Sequence, residues 1–254
     1  MRHVETAGAG PLLVCLHGIG GSVATFTHQL TGLRERFRVV ARDAPGYGRS
    51  ADPTGYPGED DYLGDIAGII KGEGRGSAYI LGMSWGGVLA MRFALAYPEL
   101  VDGLILGDTT RGSGQTERQA VAMRGRPAEL LSLGAEAFAA KRAGRLLSSA
   151  ATADDIAAVA TAMADAIRLP GYAYAARFMA ESNLTRKLSA ITVPTLIVYG
   201  AEDVVTGKAE SVAIGAEIAG STLVEIPGAG HLSNQEQPQA FNAAVLRFVD
   251  NLTS

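Results

Sequence analysis

Short, unbroken apolar blocks recur along the chain: Leu12 to Leu16, Val39 to Ala41, Tyr79 to Leu81, Leu104 to Leu106 and Leu196 to Tyr199. Blocks of this length without polar alternation suit strands that are covered on both faces, as in a parallel sheet. Strands are expected near 12–17, 37–42, 77–83, 102–108, 194–200 and 221–226. Between them, residues 22–36, 60–72, 85–97, 208–219 and 236–251 carry helical periodicity. The last of these sets Phe241, Val245, Leu246 and Phe248 on a face that can pack on a sheet. Strands alternating with helices predict an α/β chain of βαβ units with a mainly parallel, doubly wound sheet.

The rhythm breaks once. From Gly112 to Lys187 the pattern is Ala-rich and helical, with breaks expected at Gly125, Pro127, Gly134 and Pro170 and no strand candidate. The sheet pattern then resumes, and neither border carries a Pro/Ser-rich linker. The expected organisation is therefore a core of 1–111 and 188–254 with a helical cap, 112–187, inserted into it. By charge the insertion is the more basic part and the remainder is acidic.

Composition narrows the function classes. The chain has 254 residues, 47% of them apolar, and a formal net charge of -4. That composition supports a substantial core. No Lys/Arg run offers the basic stripe that a phosphate backbone demands, so nucleic acid is not an expected partner. No apolar run approaches the roughly 20 residues of a membrane span. Met1 to Pro11 lacks the apolar stretch and cleavage site of a secretory signal, so the expected location is cytoplasmic. A single cysteine, Cys15, lies within a strand-like run and reads as an inert core thiol. The four histidines, His3, His17, His28 and His231, have no metal-ligand spacing. Neither a metal nor a cofactor is expected, and no oligomeric state follows.

The chemistry is concentrated in three loops. Gly82-Met-Ser84-Trp-Gly86 is a G-x-S-x-G between a β-rich run and the helical run Val88 to Ala96. A tight strand-to-helix turn would lift the Ser84 hydroxyl out of the sheet and aim the Trp85 backbone N–H at an oxygen on the attacked carbon. The loop His17-Gly-Ile-Gly-Gly21 follows an earlier strand and is expected to give a second oxyanion donor, the Ile19 N–H, with His17 bracing the loop. A serine hydroxyl needs a base held in one tautomer by an acid. His231 follows one strand in Gly228-Ala-Gly-His231, and Asp203 follows another in Gly200-Ala-Glu-Asp203. Asp108 and Glu202 are rivals for the acid. Phe138, Met163 and Phe178 are candidates for the walls of a substrate pocket, and Arg111, Arg124 and Arg177 for holding a substrate carboxylate.

These stretches, together with Asp43-Ala-Pro-Gly-Tyr-Gly-Arg-Ser50, resemble the α/β-hydrolase superfamily along essentially the whole chain. The segment His231-Leu-Ser-Asn-Gln-Glu-Gln-Pro238 with Ala240-Phe241, and Phe178-Met-Ala-Glu-Ser-Asn-Leu184, are more particular. They are similar to 3-oxoadipate enol-lactonases, which open a small anionic lactone. The resemblance implies a serine hydrolase of a small carboxylic ester or lactone, with Ser84, Asp203 and His231 as triad and a small molecule, anionic in the lactonase case, as substrate. It leaves open a C–C bond hydrolase of ring-fission products, although such enzymes usually place Trp where this chain has Leu232. It also leaves open a hydrolase-fold ligand sensor with little turnover.

Overall fold

A computed structural model of the chain describes residues 1–253. Its sheet has seven strands: β1 (Val4–Ala7), β2 (Leu12–Leu16), β3 (Arg38–Arg42), β4 (Ala78–Met83), β5 (Val101–Gly107), β6 (Thr195–Gly200) and β7 (Thr222–Ile226). They lie in the order β1-β3-β2-β4-β5-β6-β7. β1 pairs antiparallel with β3, and the other pairings are parallel. The helices are α1 (Thr27–Gly32), α2 (Glu59–Gly72), α3 (Trp85–Ala96), α4 (Glu117–Ala143), α5 (Ala153–Ala166), α6 (Gly171–Glu181), α7 (Gly207–Glu217), α8 (Ser233–Glu236) and α9 (Pro238–Thr253).

The absence of polar alternation in the strands follows from burial on both sides. Along β2, Leu12, Val14 and Leu16 join one core with Tyr62, Leu63 and Ile66 of α2 and Val88 and Leu89 of α3. Leu13 and Cys15 face the other way, into a core with Phe26, Phe37 and the α9 residues Phe241, Val245 and Phe248. Because β2, β4, β5, β6 and β7 run in one direction, the loops that follow them gather along one edge of the sheet.

The structure departs from the sequence pattern at element ends. β1 was not expected; it is four residues long and half-exposed. The expected helix 22–36 is a 3₁₀ turn at Val23–Phe26 followed by the single short α1, after which Arg36 and Phe37 N–H both return to Leu33 O. α4 runs straight through Gly125 and Pro127, where breaks were expected, and kinks only at Gly134, whose φ is 73°. The C-terminal helix is divided into α8 and α9, the second starting at Pro238, whose missing N–H costs nothing in a first turn. Among the described residues no helix is long and apolar enough to cross a membrane.

Candidate active site

Ser84 sits between β4 and α3 with φ 52° and ψ −114°, a conformation L-residues rarely adopt. The turn is held from several sides. The Ser84 N–H donates to Gly107 O at 2.8 Å, and Thr109 Oγ1 donates to Ser84 O at 2.6 Å. Two glycines make its tightness possible: a Cβ on Gly82 would lie 2.3 Å from Gly86 O, and one on Gly86 would lie 1.9 Å from Leu16 O. The Trp85 ring is fully buried, with centroids 5.6 Å from Tyr47 and 5.5 Å from Tyr62. That packing fixes the first turn of α3 and with it the direction of the Trp85 N–H.

The loops after β6 and β7 complete a hydrogen-bonded chain. His231 Nε2 is 3.0 Å from Ser84 Oγ, and His231 Nδ1 is 2.9 Å from Asp203 Oδ2. This geometry is that of a neutral ring whose Nδ1–H donates to the carboxylate while Nε2 accepts from the serine. Burial would push the Asp203 carboxyl up, but hydrogen bonds from His231, Thr206 Oγ1 and Val205 N–H hold it well below the usual carboxylate range. Burial likewise opposes charge on His231, yet the bond to Asp203 and the nearby Asp108 raise its pKa above the ordinary value; the positive charge of Arg126 opposes them.

The rival acids are engaged elsewhere. Asp108, at φ 43°, accepts from Gly200 N–H, Ser233 N–H and Ser233 Oγ, and burial pushes its carboxyl up to about 6. Glu202 accepts from Ser149 N–H at 2.8 Å.

The loop after β2 lies against the serine: a Cβ on Gly18 would be 3.2 Å from Ser84 Cβ. His17 Nδ1–H donates to Gly18 O at 2.7 Å, and Nε2 accepts from Ala44 N–H at 2.9 Å, so the ring ties this loop to the one after β3. Burial lowers its pKa to about 4, which keeps the ring neutral. Among the described residues the backbone N–H groups of Ile19 and Trp85 donate no hydrogen bond within the protein.

Of the apolar candidates, Met163 reaches this loop, its Cε 2.7 Å from where a Gly20 Cβ would stand. Phe138 and Phe178 instead fill helix packing. Phe138 lies under the Arg142 guanidinium and edge-on to Tyr172, and Phe178 lies edge-on to Tyr62 under Arg92. The three arginine candidates are each paired with a carboxylate of this chain. Arg111 grips Glu210 through two bonds of 2.9 and 3.0 Å, Arg124 pairs with Glu117, and Arg177 pairs with Glu181 beneath Tyr56. The cation whose charge acts on His231 is Arg126, overlooked in the sequence. It is half-buried, beside the Tyr172 hydroxyl, on the α4 stripe of buried Ala120, Met123 and Leu130. The signal was available: Arg126 stands three residues after Met123 and four before Leu130, the spacing of one helix face.

Known proteins share the sequence pattern and the fold. The chain is 30% identical to a 2-(acetamidomethylene)succinate hydrolase of Mesorhizobium japonicum, over 98% of this chain and 91% of that one. It is 29% identical to 3-oxoadipate enol-lactonase 2 of Acinetobacter baylyi, over 92% and 87%. Among solved structures, a thermophilic esterase from Thermogutta terrifontis superposes with a TM-score of 0.92 at 28% identity, covering 100% of this chain and 94% of that one. The family model described as the alpha/beta hydrolase family matches residues 13–244, and with the sheet order and loop placement above, the chain belongs to that family.

Proposed function

We propose that the protein is a serine hydrolase that cleaves a small carboxylic ester or lactone through an acyl-enzyme. The observation that carries this reading is the chain Ser84–His231–Asp203, with its hydroxyl raised on a strained turn. Ser84 Oγ forms a bond to the substrate carbonyl carbon as its proton passes to His231 Nε2. The carbonyl oxygen, now negative, takes the Ile19 and Trp85 N–H groups. Collapse breaks the bond to the alkoxy oxygen, which receives the proton from His231. Water, deprotonated by the same His231, then attacks the acyl carbon and restores Ser84. Asp203, kept ionised by its hydrogen bonds, stabilises the imidazolium formed in each half.

In this reading 112–187 is a cap on a core of 1–111 and 188–254. Met163 against Gly20, and the segment after α4 against Gly230, support it. Arg126, a half-buried guanidinium whose positive charge is felt at His231, supports an anionic substrate. The lactonase and the succinate-derivative hydrolase among the relatives point the same way.

The experiment is turnover on a panel of small lactones and aryl esters with wild type and Ser84→Ala. Multiple turnovers by wild type and a loss in kcat of roughly 10⁴ to 10⁶ in the variant are expected. Equal hydrolysis by the two proteins would overturn the assignment.

A further inference from the structure

The His231 loop and the turn that joins α4 to α5 meet backbone to backbone. A Cβ on Gly230 would stand 2.6 Å from Leu147 C, 2.8 Å from Ser148 N and 2.9 Å from Leu146 O. Two loops this close align two N–H dipoles, and one carboxylate takes both. Glu236 Oε1 accepts from Ser148 N–H at 2.7 Å, and Glu236 Oε2 accepts from Gly230 N–H at 2.6 Å. Glu236 ends the helical turn α8, which begins two residues after His231. A second carboxylate lies on the neighbouring loop: Glu202, adjoining Asp203, accepts from Ser149 N–H at 2.8 Å. The backbone N–H of Glu202 also donates to Ala229 O at 2.9 Å, so the Asp203 and His231 loops are themselves joined.

We propose that Glu236 is a positioning residue that makes seating of the α4–α5 turn a condition for alignment of His231 with Ser84. The proposal rests on the reading of His231 as the base. One side chain holds both partners: if the turn departs, Glu236 loses half its acceptor load and the Gly230 amide loses the geometry that fixes the residue before His231. Charge-assisted bonds to backbone N–H groups are shorter and stronger than neutral ones, which suits a rigid link between two loops. Glu202 differs, because its carboxylate holds the turn without touching the backbone beside His231.

The test uses the full-length chain and a fluorophosphonate, which phosphonylates a serine only when its base is aligned and which needs no knowledge of the substrate. The second-order labelling rate is measured from pH 5 to 9, with amide hydrogen exchange at Ser148, Ser149 and Gly230. Glu236→Gln keeps the volume but offers one acceptor to two donors. It is expected to slow labelling about tenfold to a hundredfold. The pH midpoint should also fall toward that of a free imidazole, and Ser148 and Gly230 should lose protection together. Glu202→Gln is expected to deprotect Ser149 alone and to leave the labelling rate within about twofold. Glu236→Asp, too short to reach both amides, provides a second variant that is read the same way if Glu236→Gln does not fold. An unchanged rate and midpoint in the Glu236 variants would overturn the proposal, as would slow labelling with Ser148 still protected. If wild type is not labelled, or Ser84→Ala is labelled as fast, the hydrolase reading itself fails and the positioning role falls with it.

Discussion

Individual residues divide into those whose role is written in local turn chemistry and those whose partners are set by tertiary contacts. Ser84, His231 and Asp203 each follow a strand, in an order that the fold uses, so their meeting was legible. The family resemblance, with its chain order, also favours Asp203 over Asp108 and Glu202; how the rivals are kept away from His231 is set by tertiary contacts. Gly200 and Ser233 take Asp108, and Ser149 takes Glu202. Asp203→Asn should lower kcat about 10⁴-fold, because the amide favours the wrong tautomer of His231. Asp108→Asn should cost far less, and steady-state kinetics of the two variants separates them. If Asp108→Asn is the dead variant, the acid is misassigned. A pH profile gives an independent check. Only neutral His231 can accept the serine proton, and its pKa is raised, so kcat/KM should be half lost on the acid side at a pH above the 6.5 of the unperturbed ring. A midpoint below that would mean that Asp203 does not act on His231.

At the level of elements, the inner strands β2, β4, β5 and β6 were readable because burial on both faces leaves uninterrupted apolar runs, and β1 was missed because a short edge strand needs no such run. Breaks were expected at Gly125 and Pro127 from their intrinsic preferences, yet packing of Ala120, Met123 and Leu130 keeps α4 continuous across both. The junction of β4, α3 and β2 is where an element-level change is least tolerated. A methyl on Gly86 would stand 1.9 Å from a backbone oxygen, which no rotamer change can relieve. Gly86→Ala should therefore destabilise the protein by about 3 kcal/mol, at the upper end of overpacking costs. It should also lower activity by displacing the Trp85 N–H. Chemical denaturation of the two proteins measures the first effect, and a difference below ~1 kcal/mol would show that the turn can widen.

On the scale of the whole molecule, the net charge of -4 should repel anions, whereas the helical segment is the more basic part and includes Arg126, whose charge is felt at His231. Wild type should therefore prefer an anionic ester or lactone to its neutral methyl ester. The preference should shrink with salt as the Debye length falls from about 30 Å at 0.01 M to about 3 Å at 1 M. Arg126→Ala should raise KM for the anion about tenfold or more while leaving the neutral ester nearly unchanged, a loss typical of a hydrogen bond to a charged group. Equal effects on both substrates would assign Arg126 to packing.

The chain leaves the sheet at the end of β5 and returns on the adjacent β6, with Leu104 paired to Thr195, so the intervening helices can be lengthened, shortened or exchanged without disturbing any strand register. Their attachment beside the serine, moreover, includes the backbone amides at 148 and 149. Any residue but proline can supply such donors. Substitutions at 148 and 149 that keep an N–H therefore leave the bonds to Glu236 and Glu202 intact, so these two positions can vary widely without loosening the join between the loops.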